Sequence, residues 1–262
     1  IDAVFHFAGF KSASRSIDNP IEYWDNNLIG TINLIKMVSK YKCKKLIFSS
    51  SAIVYGNENN LPLIEDSIVK PLNPYGHTKH AIENILFDVT QIKESQLKVI
   101  CLRYFNPIGA HNSGQLGENS KNISENLFPL ICEVAAKKRK NLTIFGDNWP
   151  TQDGTCIRDY IHIMDLAEAH IKALDYLKKN EEKFLILNVG TGKGISVKEL
   201  VSTFEKINKI SIDYVIGERR KGDTAISYSN SEMSQSILNW FPIRNLDEMC
   251  LDGWRWYKNL RN

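Results

Sequence analysis

Cysteine is scarce and unpatterned. Its five copies, at 43, 101, 132, 156 and 250, are odd in number and form no Cys-x-x-Cys. That spacing excludes a disulfide scaffold and a zinc site, and predicts no bound metal and reduced thiols in a cytoplasmic setting. In that setting Asn122 and Asn141, which match the glycosylation pattern, stay unmodified. No apolar run approaches the ~18 residues of a membrane span, and no secretory leader is visible. Charge of one sign is also lacking. The formal net charge is +3, too mild for a nucleic-acid partner and compatible with an anionic small molecule. The basic run Lys137-Lys138-Arg139-Lys140 reads as the solvated C-terminal end of a helix, where cations suit the helix dipole. There is no internal repeat and no low-complexity segment. The glycine-rich stretch Val189-Gly190-Thr191-Gly192-Lys193-Gly194 has neither dinucleotide-loop nor P-loop spacing, and reads as a tight strand-to-helix turn. An initiator methionine is absent too. The chain opens at Ile1 directly into an apolar strand, and the expectation is a fragment of a longer protein.

What is present is ordinary globular material. The 262 residues are 43% hydrophobic and 24% charged, enough to bury a sizeable core as one large domain or two small ones. Over residues 1–106 apolar strands alternate with helical patterns: strands at 3–7, 46–49 and 99–104, helices at 20–41 and 74–92. Such alternation predicts a doubly wound parallel sheet. Past Asn106 the character changes to Gly-, Asn- and Ser-rich loops between shorter elements. Helices are expected at 125–138, 164–178, 197–208 and 246–258, with strands at 142–145, 184–189 and 212–216. The predicted division is therefore 1–106 and 107–262, the second a smaller α/β lobe.

The chemistry centres on Pro74-Tyr75-Gly76-His77-Thr78-Lys79. Tyr75 and Lys79 stand one helical turn apart, so both fall on one face. A free tyrosine has a pKa of about 10, and a nearby ammonium is expected to lower it. Reaching neutrality needs about 3 units, or roughly 4 kcal/mol, and would make Tyr75 a general base. A second Tyr-x-x-x-Lys, Tyr41 and Lys45, joins a helix end to a strand start and reads as surface. The Tyr75 pair gains weight from its surroundings. The strand Leu46-Ile47-Phe48 ends in Ser49-Ser50-Ser51, and in open parallel sheets ligands lie beyond the carboxyl ends of strands.

Ser51, Tyr75 and Lys79, with Phe7-Ala8-Gly9, Asn26-Asn27 and Arg103-Tyr104-Phe105-Asn106, resemble the extended short-chain dehydrogenase/reductases. Within them the chain is similar to the UDP-glucose (UDP-galactose) 4-epimerases over essentially its whole length. The resemblance implies a Rossmann-like sheet whose first strands, with the family's Gly-x-x-Gly-x-x-Gly turn, lie before Ile1. It implies NAD as cofactor, contacted by Phe7, Ala8, Gly9, Lys11, Asn26, Ser51, Tyr75, Lys79 and Phe105. It implies catalysis by Ser51, Tyr75 and Lys79. For a UDP-sugar it implies Ser51, Tyr75, Asn106, Asn126, Leu127, Thr143, Phe145, Arg158, Arg220, Asp223 and Ser227. Arg158 and Arg220 suit diphosphate oxygens through forked donors, and Asp223 suits ribose hydroxyls. Ser227, small where a family tyrosine is restrictive, implies room for N-acetylated sugars. A homodimer through the helices at 20–41 and 74–92 is implied as well. Two other readings stay open: a nucleotide-sugar dehydratase or decarboxylase, and a non-catalytic or truncated, inert member of the fold. Ala52-Ile53 after Ser51 supply no carboxylate for elimination. The intact Ser51, Tyr75 and Lys79 set argues against a purely binding role.

Overall fold

A computed structural model of the chain describes residues 1–119, 126–220 and 222–260. Asn122 and Lys221 lie outside the described residues. In chain order the elements are β1 (Val4–His6), α1 (Ala13–Asp18), α2 (Pro20–Tyr23), a π-helical turn (Trp24–Ile29), α3 (Gly30–Lys40), β2 (Lys45–Ser49) and a 3-10 turn (Ala52–Tyr55). Then come α4 (Pro74–Gln91), β3 (Lys98–Tyr104), β4 (Asn106–Ile108), α5 (Leu127–Ala135), β5 (Leu142–Phe145), β6 (Ile157–His162), α6 (Ile163–Lys179) and β7 (Phe184–Val189). The chain closes with β8 (Gly194–Ser196), α7 (Val197–Asn208), β9 (Tyr214–Gly217), β10 (Ile226–Ser227), α8 (Glu232–Leu238) and α9 (Leu246–Asn259).

Two compact units result. The first comprises Ile1–Phe105, Glu168–Val189 and Asn230–Trp240, the second Asn106–Ala167, Gly190–Ser229 and Phe241–Asn262. The sequence pattern divides the chain once, at 106. In the structure the chain instead returns to the first unit twice. The reason is strand pairing: β7 lies parallel to β3, with Val99 opposite Phe184 and Tyr104 opposite Val189.

The first unit carries a parallel sheet in the order β1-β2-β3-β7. Its central strands are apolar over Leu46–Phe48 and Val99–Leu102, as burial on both faces requires. Leu46, Phe48, Val99 and Cys101 pack against Ile35 and Val38 of α3 and Ile82 and Leu86 of α4. Hydroxyl side chains gather at the end of β2 instead, at Ser49, Ser50 and Ser51. The second unit holds the order β10-β6-β4, with β8 antiparallel to β6, and a separate pair of β5 with β9. Its core joins α5, α7 and α9 through Phe128, Ile131, Leu200, Phe204 and Trp254. Among the described residues no helix is long and apolar enough to cross a membrane.

The helix expected over 20–41 is broken. Its middle widens into the π-helical turn at Trp24–Ile29, which carries Asn26 and Asn27. Such turns commonly mark functional positions. Tyr41 caps α3 and Lys45 opens β2, so that pair shares no helical face.

Candidate active site

Helix α4 begins sharply. Asn73 caps it by accepting the Gly76 N–H at 2.9 Å, and Pro74 occupies the first turn, where its missing N–H costs nothing. This fixes Tyr75 and Lys79 on one inward face, 6% and 4% exposed. The Lys79 Nζ lies 5.8 Å from the Tyr75 ring centroid and 4.7 Å from that of Phe48.

The three serines that end β2 take three different partners. Ser49 Oγ lies 2.8 Å from His170 Nε2, and the Ser49 carbonyl accepts from Lys79 Nζ at 2.7 Å. Ser50 Oγ donates to Glu83 at 2.5 Å. Ser51, in extended backbone, caps the 3-10 turn by accepting the Ile53 N–H at 3.3 Å, and its hydroxyl lies near enough to the Tyr75 phenol to favour its ionised form. Serine, phenol and ammonium thus converge at the carboxyl end of β2.

The electrostatics of this trio correct the sequence expectation. Burial pushes the Tyr75 phenol up, with Tyr104 adding to it and the nearby Ser51 hydroxyl only partly opposing. Lys79 does not pull the phenol toward neutrality, because its ammonium is aimed at the Ser49 carbonyl. Burial lowers Lys79 itself to about 8, against the upward pull of Glu83 and then Cys101. Spacing revealed the shared face but not the depth at which that face is buried. Without ligand, Tyr75 is a neutral phenol beside an ammonium.

At the end of β1, Phe7, Ala8, Gly9 and Lys11 are exposed, as is Asn26. The residue that organises them is Asn27, buried in the π-helical turn. Its carboxamide accepts the Phe10 N–H at 2.7 Å and donates to the Phe10 carbonyl at 3.0 Å and to Thr78 Oγ1 at 3.3 Å. The Asn26 amide donates to Asn27 Oδ1 at 2.9 Å. Gly9 runs so close to this carboxamide that a Cβ would stand 3.2 Å from Asn27 Oδ1. Phe105 is buried with Val54, Tyr55 and Leu63. An exposed glycine turn beside a hydroxyl, a phenol and an ammonium at the carboxyl ends of parallel strands fits a nicotinamide nucleotide.

In the second unit the residues expected to grip a nucleotide also gather. The Arg220 guanidinium lies 4.6 Å from the Phe145 ring centroid, and its Nε donates to Asp223 at 3.1 Å. Burial raises the Cys156 thiol, and the charges of Arg158, Asp223 and Arg220 all reach it. Arg158 sits opposite Ser227 in the β6–β10 register. Thr143 and Phe145 lie in β5. Asn106 pairs with Tyr160 of β6, and Asn126 and Leu127 open α5, the Asn126 amide donating to Glu118 at 3.4 Å.

Sequence reasoning missed the residue beneath this cluster. Asp159 is fully buried and accepts five hydrogen bonds. They come from Thr191 N and Oγ1 (2.8 and 2.6 Å), Gly192 N (3.0 Å), and Ser229 N and Oγ (3.1 and 2.6 Å). A side chain at Gly190 would collide with this carboxylate, which explains the glycine there. The only sequence signal for Asp159 was its place beside Arg158. Among the described residues no group of three or more His, Cys, Asp or Glu could hold a metal ion.

Fold and site together define an enzyme that acts on nucleotide-linked substrates with a bound nicotinamide. The chain belongs to the NAD dependent epimerase/dehydratase family, whose sequence signature matches residues 1–190. Within that family it is similar to UDP-glucose 4-epimerases. It is 45% identical over 98% of its length to "UDP-glucose 4-epimerase 2" of Arabidopsis thaliana, and spans 73% of that protein. Its structure superposes on the UDP-glucose 4-epimerase of Stenotrophomonas maltophila, solved with NAD and formylated UDP-arabinopyranose, at a TM-score of 0.96 and 40% identity; all of this chain and 77% of that one are covered. The Bifidobacterium longum UDP-glucose 4-epimerase, solved with NAD+ and UDP, gives a TM-score of 0.95 and 41% identity, covering 100% and 78%.

Proposed function

We infer that the protein is a UDP-glucose 4-epimerase that interconverts UDP-galactose and UDP-glucose through a 4-keto sugar. The observation that carries the reading is the convergence of Ser51, Tyr75 and Lys79 at the end of β2, in a family member that also presents the Arg158, Arg220 and Asp223 cluster. Bound NAD supplies a hydride acceptor and donor, together with a positive ring charge. Residues of this chain do the rest. Phe7, Ala8, Gly9, Lys11, Asn26 and Phe105 hold the nicotinamide half of the cofactor. Tyr75, as phenolate, takes the proton of the C4 hydroxyl as that carbon loses its hydride, and gives it back when hydride returns to the other face. Ser51 hydrogen-bonds the reacting oxygen and steadies the charge that develops on it. Lys79, held on the Ser49 carbonyl, remains an ammonium beside the site.

Inversion requires a sugar that can turn over while its nucleotide stays fixed. Arg158 and Arg220 grip the diphosphate, Asp223 the ribose, and Thr143 and Phe145 the base. Asn106, Asn126 and Leu127 complete the contacts. Ser227 is small, so the sugar pocket admits UDP-N-acetylglucosamine and UDP-N-acetylgalactosamine as well. Ala52 and Ile53, in the 3-10 turn after Ser51, bring no carboxylate to the site, which disfavours elimination. We place the protein in the cytoplasm on its five free cysteines. We assign it a homodimer through the helices at 20–41 and 74–92, where Ile29, Met37, Phe87 and Ile92 are exposed apolar residues.

The test is twofold. Protein purified from its own source and denatured should release about one nicotinamide nucleotide per chain, and should convert UDP-galactose to UDP-glucose without added cofactor. A folded, NAD-loaded protein that turns over neither plain nor N-acetylated UDP-hexoses would refute the reading. Light scattering decides the dimer.

A further inference from the structure

Helix α4 carries a third titratable residue on the face that holds Tyr75 and Lys79. Glu83 is one turn beyond Lys79 and is buried. Its Oε1 accepts from Ser50 Oγ at 2.5 Å and from Arg103 Nε at 3.0 Å, and its Oε2 accepts from Arg103 Nη2 at 2.8 Å. His80 Nδ1 lies 3.8 Å from Oε2. A buried ion pair contributes little to stability compared with an apolar pair of the same shape, so its presence calls for another explanation.

The explanation lies in where its bonds lead. Ser50 sits between Ser49, whose carbonyl holds the Lys79 ammonium, and Ser51, whose hydroxyl meets Tyr75. Two bonds therefore strap the end of β2 to α4: Lys79 Nζ to the Ser49 carbonyl, and Ser50 Oγ to Glu83. After burial, the same carboxylate is the largest influence on Lys79, and it pulls upward. We propose that Glu83 is a positioning residue of the acid/base pair: through Ser50 it fixes Ser51 against Tyr75, and through its charge it keeps Lys79 an ammonium. Burial alone would raise Glu83, but the His80 imidazole close by and the hydrogen bonds from Arg103 and Ser50 outweigh it and hold the carboxyl below the usual range. The carboxylate is thus charged wherever the enzyme works. The other titratable groups facing Lys79 are His6 from β1, Cys101 from β3 and Tyr75 on its own helix, with Arg103 of β3 behind Glu83.

This inference rests on the reading of Tyr75 and Lys79 as the acid/base pair, and the experiment separates the two. Epimerase turnover by the NAD-loaded full-length protein is followed against pH. In the wild type the alkaline limb of kcat should fall where Lys79, lowered by burial to about 8, gives up its proton. Glu83→Gln keeps the shape and can still accept from Ser50, but removes the charge, so the limb should move down by about one pH unit or more. Arg103→Gln removes the neutralising cation and should move it up. Opposite movements are a signature that a merely structural defect does not give, and either folded variant suffices. Ser50→Ala should lower kcat about tenfold with the limb in place, because only the strap is cut. A second readout is independent of turnover: the denaturant midpoint should begin to rise with pH at a lower value in Glu83→Gln, as Lys79 deprotonates earlier in the fold. A limb that stays put, or moves the same way in both variants, overturns the proposal. An inactive wild type, or an active Lys79→Ala variant, would instead overturn the acid/base reading beneath it.

Discussion

Replacing Asp159 by asparagine changes one oxygen to an NH2 group and nothing in volume, yet should be among the most damaging substitutions in the second unit. One carboxylate oxygen accepts from Thr191 N and Oγ1, the other from Gly192 N, Ser229 N and Ser229 Oγ. Wherever the amide nitrogen points, it meets a backbone donor that cannot reverse. The less costly orientation puts it toward Thr191, whose hydroxyl can turn to accept, leaving the Thr191 N–H unpaired. A buried unpaired donor costs about 1–3 kcal/mol, and the three bonds that remain fall from charge-assisted to neutral strength, losing roughly 0.5–1 kcal/mol each. Part of that loss is returned because a neutral side chain is easier to bury. A net destabilisation of about 2–4 kcal/mol follows. Urea titration of the NAD-loaded protein should show the midpoint reduced with an unchanged slope. Because β10 pairs with β6 beside this carboxylate, with Ser227 opposite Arg158, UDP should also bind more weakly by calorimetry. A variant within about 0.5 kcal/mol of the wild type, the range of an ordinary surface substitution, would refute the accounting.

Other outcomes follow from the same geometry. Tyr75→Phe should lower kcat by about 10²–10⁴-fold while NAD content and UDP affinity hold, the expected loss for a positioned acid/base group; single-turnover kinetics check it. Ser227→Tyr should cut kcat/KM for UDP-N-acetylgalactosamine by about 10–200-fold relative to UDP-galactose, the range a filled pocket imposes, as assayed on both sugars in parallel. Burial first, then the charge of Lys79, holds His6 at a pKa of about 4. Between pH 6.5 and 4 the unfolded chain therefore binds a proton that the fold does not, and stability falls as pH drops through that window by up to about 3 kcal/mol. His6→Gln should flatten that part of the stability curve.

Much of the site could be read from local pattern. A strand ending in hydroxyls and a tyrosine and lysine one turn apart are short-range features that point to the end of β2 and to Tyr75 and Lys79, while the family resemblance singles out Ser51 among the three serines. What stayed hidden depends on distant partners. Glu83 looks like any helix glutamate until Arg103, from a strand that follows in sequence, closes on it. Asn27 looks like an indifferent helix residue, but its carboxamide reaches back to Phe10 and across to Thr78. The titration of Tyr75 was misjudged because helical spacing reports direction and not depth. The elements β4, β8 and β10 are two or three residues long, too short to show any period.

The pairing of β7 with β3 has a consequence for the chain as it is made. When residues up to Tyr104 have left the ribosome, β1, β2 and β3 can associate, but the outer edge of β3 has no neighbour until β7 emerges. All of β4, α5, β5, β6 and α6 are synthesised in between. During that interval Val99, Cys101 and their neighbours present an open, apolar strand edge, the kind of surface that recruits other nascent chains. The slowest and most chaperone-dependent moment of biogenesis should therefore come late, at closure of the first sheet rather than at its start.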